Sequence, residues 1–235
     1  MTMLSMIQQV CAEIGLPQPN AVATSTDSQL LQMMALLNRE GKELAKRIAW
    51  QALRKETSFT TVATESQGSI NTIAPGLNYI VNNTIWNRDL KRPVFGPLDP
   101  QRWQQLEALT LRGPWNEFII RENTLRFIPA PAAGQPCYFE YITKNWCTDS
   151  TGATGKTAFT ADDDVPLLDD DIMTMGLIWR WKQAKGFAYA EEFSTYERLV
   201  ANAAGRDGSK QTLNMADTRY DMFPGIVVPS GNWSV

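Results

Sequence analysis

Leu4, Ile7, Val10, Cys11 and Ile14 recur at helical spacing, with Thr2 placed to cap the start and Gly15 and Pro17 to stop the pattern. The spacing predicts a short helix with one buried face. After a loop rich in Pro, Asn, Ala and Thr from Leu16 to Ser25, Thr26-Asp27-Ser28-Gln29 has the form of a capping box. From there Leu30, Met33, Met34, Leu37, Gly41, Leu44 and Ile48 keep the helical period as far as about Leu53. A helix of that length spans about 40 Å and is expected to be the spine of the domain.

Past Arg54 the rhythm changes to alternation. Phe59-Thr60-Thr61-Val62 is rich in strand formers, and Gly68-Ser69-Ile70 reads as a turn into another short strand. The clearest hairpin runs from Phe118-Ile119-Ile120 through a polar turn at Arg121-Glu122-Asn123 to Thr124-Leu125-Arg126-Phe127-Ile128. A further strand follows the Pro129-Ala130-Pro131 and Gly134 linker, with Cys137, Phe139 and Tyr141 on one side. Asp99-Pro100 opens a short helix through Trp103 and Leu106.

Helical order returns after a Gly/Thr/Ser/Asp-rich loop from Asp149 to Asp164. Pro166 marks the start of a helix whose first turns carry Asp169, Asp170 and Asp171 and whose end carries Lys182, Lys185 and Gly186. Leu168, Ile172, Met175, Trp179 and Gln183 mark its inward face. A last helix follows at once, with Ala190, Phe193, Val200 and Ala204 as its stripe and Gly205 and Gly208 at its end. So short a connection favours an antiparallel pair.

These parts predict an α+β protein that is mainly helical. Its two N-terminal and two C-terminal helices form a four-helix bundle from residues 1–54 and 165–207, with residues 55–164 inserted as a small antiparallel β subdomain and 208–235 as an extended C-terminal tail. The tail carries Tyr220, Phe223, Ile226, Val227, Val228 and Trp233 without a helical or strand pattern of its own. Apolar side chains of that kind need a partner's surface, so the chain reads as a piece of an assembly.

A chain of 235 residues is long enough to bury a core without staples. Cys11, Cys137 and Cys147 are an odd set whose spacing matches no zinc site, so reduced thiols are expected. A formal charge of −3 gives no broad basic surface and argues against general DNA binding. No apolar run approaches the ~18 residues of a membrane span, so no membrane partner is expected.

Histidine is absent, which removes Ser/His and Cys/His nucleophile pairs and imidazole metal ligands. The runs Asp162-Asp163-Asp164 and Asp169-Asp170-Asp171 lack the ligand spacing of a calcium loop and read as a solvated acidic loop feeding a helix. Thr154-Gly155-Lys156-Thr157 lacks the upstream glycine of a phosphate loop, since Ser150 stands there. No metal and no cofactor are expected, and no enzymatic role. Arg39, Lys42, Lys46 and Arg47 form the one basic cluster; with Glu40 and Glu43 between them, much of this charge can pair along a solvated face. The sharper reading is that this face meets an acidic neighbour in a ring.

The order of several segments resembles the head-to-tail adaptor (head-completion, or tail tubular) proteins of short-tailed, podovirus-like bacteriophages. They are Leu4-Ser5-Met6-Ile7-Gln8-Gln9-Val10 with Gly15-Leu16-Pro17, Leu37-Asn38-Arg39-Glu40-Gly41-Lys42-Glu43-Leu44-Ala45, Trp50-Gln51-Ala52-Leu53, Arg126-Phe127-Ile128-Pro129-Ala130-Pro131 and Leu177-Ile178-Trp179-Arg180-Trp181-Lys182-Gln183-Ala184-Lys185-Gly186. The resemblance implies a virion subunit in the neck, made in the host cytoplasm. It would belong to a twelvefold homo-oligomeric ring that docks on the portal protein, extends its channel and receives the tail nozzle. Double-stranded DNA would pass through that channel without specific binding, and the C-terminal tail would reach the portal. Two other readings stand beside it. One is a carboxylate-dependent glycan hydrolase with a sugar cleft near Trp86, Trp103 or Trp115; the other is a DNA-binding module on the basic helix face.

Overall fold

The computed structural model describes residues 1–109 and 113–208. In chain order its helices are α1 Met3–Ile14, α2 Ser28–Arg47, α3 Ile70–Ile73, α4 Pro100–Ala108, α5 Asp170–Lys185 and α6 Ala190–Asp207. Its strands are β1 Arg54–Thr60, β2 Ser66–Ser69, β3 Leu77–Ile80, β4 Trp86–Asn87, β5 Arg92–Pro93, β6 Glu117–Arg121, β7 Thr124–Ile128, β8 Pro136–Thr143, β9 Cys147–Thr148, β10 Gly155–Lys156 and β11 Val165–Pro166. The protein is α+β, as the pattern predicts, but not mainly helical: among the described residues helix accounts for 40% and strand for 21%. Many of the strands are two residues long, too short for alternation to reveal.

Two compact units divide the chain. One comprises Met1–Lys55, Gly76–Tyr79 and Ile142–Gly208; among the described residues, the other comprises Glu56–Pro75 and Ile80–Tyr141.

In the helical unit, α1, α2 and α6 each pack against α5. The start of α1 is the expected one: Thr2 and Ser5 form a reciprocal capping box, and Gly15 closes the helix in the left-handed region at φ 74°. α2 differs from expectation at both ends. Asp27, rather than Thr26, is its N-cap, accepting from Gln29 N. It stops at Arg47, where Ile48 turns extended and the Trp50 indole donates to Leu44 O at 2.8 Å, satisfying one of the end carbonyls. Its 20 residues therefore span about 30 Å rather than 40 Å.

α5 begins four residues later than Pro166 suggests, because Pro166 is held in β11 opposite Cys147 and Asp169 caps the helix by accepting from Asp171 N and Ile172 N. Nor does α5 have a single inward face. Ile172, Met173, Leu177, Ile178, Trp179 and Trp181 are all buried, so it is a central helix enclosed nearly all round. In α6, Gly205 lies within the helix and only Gly208 ends it; Tyr196 and Val200 are buried, whereas Phe193 remains 39% exposed.

The second unit holds the predicted hairpin. β6 and β7 pair from Glu117↔Ile128 to Arg121↔Thr124, with Glu122 and Asn123 both at positive φ in the tight turn. β2 joins β7, and Ile70 starts α3 rather than a strand. A second sheet runs in the order β1-β8-β4-β5. Cys137, Phe139 and Tyr141 of β8 point inward, as their alternation predicts. The Phe59 ring meets Phe127 and Phe139 edge-on, with centroids 5.8 and 6.2 Å away. α4 is capped by Asp99 as expected, and buries Trp103 and Leu106 against Ile119 and Ile128.

Candidate functional site

The basic residues of α2 separate into two groups. Arg39 Nε bonds Glu43 Oε1 at 2.7 Å, and Arg47 Nη2 bonds Glu197 Oε1 of α6 at 2.6 Å while lying 5.5 Å from the Tyr196 ring centroid. Glu43 Oε2 accepts from Arg180 at 2.8 Å rather than from Arg47 four residues on. Arg39's hydrogen bond is the main reason the Glu43 carboxyl sits below its usual range. Lys42 and Lys46 are exposed and line a cleft of about 200 Å³ with Ala45, Asn78, Lys144 and Trp146.

Between the helices lies a charge that the sequence reading assigned to solvent. Glu40 is fully buried; its Oε2 accepts from Arg180 Nε at 2.6 Å and its Oε1 from Tyr196 Oη at 2.6 Å. The signal was present in the sequence: Glu40 stands three residues after Leu37 and four before Leu44, on the apolar stripe itself. Gly176 of α5 makes room for the carboxylate, since a Cβ there would lie 2.5 Å from Glu40 Cδ. Burial disfavours the Arg180 charge, but the hydrogen bonds and attraction of Glu40 and then Glu43 outweigh it and raise its pKa. Burial, followed by the Glu40 hydrogen bond, also raises that of the Tyr196 phenol. The cluster ties α2, α5 and α6 together.

The Asp162–Asp164 run is a structural device rather than a solvated loop. Asp162 Oδ1 accepts from Val22 N and Ala23 N at 2.9 and 2.8 Å. Asp164 is fully buried; it takes Lys156 Nζ at 2.6 Å on one oxygen and the amides of Thr160 and Ala161 on the other. Lys156 stands in β10, so the Thr154–Thr157 sequence serves as an edge strand and its lysine as a counter-ion. Against the cost of burial, these bonds hold the Asp164 carboxyl below its usual pKa.

A groove of about 480 Å³ lies at another place in the helical unit, lined by Leu44, Trp50, Asp169, Asp171, Leu199 and Asp207 among others. Aromatic rings gather around the α5–α6 connection. Trp179 meets Phe193 edge-on at 5.1 Å, and Trp181 stacks on the 57% exposed Phe187 at 5.8 Å.

Of the tryptophans proposed for a sugar cleft, Trp103 is 1% exposed within a hydrophobic cluster and cannot present a ring to a ligand. Trp115 packs edge-on against Phe95 and beneath Arg92. Among the described residues, no group of three or more Cys, Asp or Glu is placed to hold a metal ion, and no helix is long and apolar enough to cross a membrane. All three cysteines are free and buried; burial pushes Cys137 up to about 11 and Cys147 up to about 12. Tyr220, Phe223, Ile226, Val227, Val228 and Trp233, expected to meet a partner, lie outside the described residues.

No curated protein matches the chain. The family model described as SU10 adaptor protein matches residues 1–224, which takes in both compact units and much of the C-terminal segment. The chain therefore belongs to the SU10 adaptor protein family of bacteriophage head-to-tail adaptors, structural virion proteins that contact other head and tail proteins.

Proposed function

We propose that the protein is a non-enzymatic subunit of a twelve-copy adaptor ring in the virion neck, docked on the portal protein, extending the DNA channel and attaching the tail nozzle or other tail proteins. The family match over residues 1–224 is the observation that carries this reading. In it, the helical unit, Met1–Lys55 with Gly76–Tyr79 and Ile142–Gly208, acts as the body packed side by side in the ring. A buried charge cluster that pins α2, α5 and α6 supports such a body, because it keeps the subunit's outer faces in fixed register. The exposed charges of α2, Lys42 and Lys46 with Arg39 and Arg47 beside them, serve the contact between copies.

Residues 208–235 anchor the subunit to the portal through Tyr220, Phe223, Ile226, Val227, Val228 and Trp233. An extended segment of this composition can add backbone hydrogen bonds to a sheet edge and lay its side chains in a groove, and repetition around a ring multiplies weak contacts. The net charge of −3 suits a conduit, since a strongly basic bore would retain passing DNA. Deleting residues 209–235 tests the anchoring: the truncated chain should keep the far-ultraviolet circular dichroism and melting of the helical unit and lose portal binding. Portal binding at full strength by the truncated chain would end the anchoring role.

A further inference from the structure

We propose that neighbouring copies of this chain join head to tail, the lysine-rimmed cleft of one copy seated against the carboxylate-bearing groove of the next. The inference rests on the ring reading above and names the two surfaces that would close it.

Three exposed lysines, Lys42, Lys46 and Lys144, stand around the first surface, and among the described residues none of their ammonium groups has a hydrogen-bond or ion-pair partner. By contrast Arg39 and Arg47 on the same helix are already engaged by Glu43 and Glu197. The second surface is lined by Asp169, Asp171 and Asp207, with Arg206 as its one cationic lining residue. Asp169 and Asp207 accept from backbone amides, and among the described residues neither is in an ion pair. Apolar Leu44, Leu199 and Ala203 line the same groove. Lysine ammonium groups on flexible four-carbon stems suit such a concavity, because the stems can cover the apolar wall while the heads reach the carboxylates.

Helix geometry puts the two surfaces on opposite sides of α2. Residues two apart on an α-helix differ by about 200° in direction. Leu44 lines the groove, whereas Lys42 and Lys46, two residues before and after it, line the cleft. Two different, charge-complementary patches facing different ways are what a closed heterologous ring needs. A two-fold dimer through the lysine patch would instead set like charges against each other. Each exposed pair contributes little alone, so the effect lies in partner choice and in repetition around the ring.

The test uses full-length chains bearing reversed surfaces, imaged by negative-stain electron microscopy with the portal ring of the same virus at low and moderate salt. One variant carries Lys42→Glu, Lys46→Glu and Lys144→Glu; the other carries Asp171→Lys and Asp207→Lys. Circular dichroism should show both folded, because the three lysines and Asp171 are exposed and Asp207 gives up one surface hydrogen bond, from Gln51 N. Each variant alone should lose rings. An equimolar mixture should recover them, because alternating copies restore every contact and a ring of even copy number accommodates alternation. If unaltered chains form rings and both variants form them equally well alone, this pairing of surfaces is wrong and the ring reading stands. Unaltered chains that form no ring remove both. If the lysine variant keeps its rings and loses retention of double-stranded DNA in a gel-shift assay, the cleft is a phosphate contact and the pairing is overturned.

Discussion

Glu40 and Arg180 form an ion pair of 2.6 Å between residues 140 apart in sequence, both at or below 6% side-chain exposure. Neither charge could be afforded there alone. Removing the cation leaves a carboxylate with only the Tyr196 hydroxyl against it, so Arg180→Ala should destabilise the protein by about 3–5 kcal/mol. Tyr196→Phe keeps the ring and removes one hydrogen bond to a charged group, so its cost should be about 1.5–3 kcal/mol. Chemical denaturation of the two variants checks both the order and the size.

Gly41 faces the Trp146 ring so closely that a Cβ would lie 2.5 Å from Cε3. Alanine in a helix interior ordinarily stabilises by about 1 kcal/mol relative to glycine. Here the sign should reverse: Trp146 is held by its hydrogen bond to Thr157 O at 2.9 Å and by Phe159 edge-on at 4.7 Å, so it cannot swing aside. Gly41→Ala should lower the melting temperature, whereas the exposed Gly205→Ala in α6, where a Cβ meets nothing, should raise it.

Asp164 should make the fold acid-sensitive. Its folded pKa is depressed by Lys156 and the Thr160 and Ala161 amides despite the cost of burial. A depressed carboxyl contributes stability that is fully present above the unfolded value of about 3.9 and is lost as pH falls through the folded value. Asp164→Asn should therefore destabilise at neutral pH and flatten the loss of stability below pH ~4, as measured by urea unfolding across pH.

Cys137 and Cys147, pushed by burial to about 11 and about 12, should stay unreactive toward a thiol reagent at pH ~8 while the protein is folded. Unfolding in denaturant should release three fast-reacting thiols per chain, Cys11 included. Rapid labelling of two or more thiols under native conditions would contradict the described core.

The β6–β7 turn places Glu122 at φ 50° and Asn123 at φ 60°. Glutamate pays a steric penalty there that asparagine largely avoids. Glu122→Asn should stabilise the chain by roughly 0.5–1 kcal/mol in thermal or chemical unfolding.

Local chemistry was legible where one segment carries its own signal. The Thr2 cap and Gly15 stop of α1, the Asp99-Pro100 start of α4, the β6–β7 hairpin and the inward alternation of Cys137, Phe139 and Tyr141 all rest on neighbours within a few residues. Errors arose where a distant partner intervened. α2 continues in the pattern to Leu53 but ends at Arg47, where the Trp50 indole takes a terminal carbonyl. Pro166 resembles a first helical residue but is held opposite Cys147. Residues 142–164, read as part of an inserted region, fall in the helical unit, where Asp162 and Phe159 bond Val22 and Asn38.

Amino-acid order alone determined the helix and hairpin positions, the lack of histidine chemistry and the adaptor likeness, because these depend on periodicity, caps and composition carried within short stretches. Only tertiary structure decided which charges are internal. Glu40 and Glu43 are one helical turn apart; the apolar stripe sets Glu40 inward, but only α5 and α6, closing over it and leaving Glu43 half exposed, supply the Arg180 cation and Tyr196 hydroxyl that let its charge be internal. Desolvation depends on what packs above a side chain, and that is set by residues more than a hundred positions away.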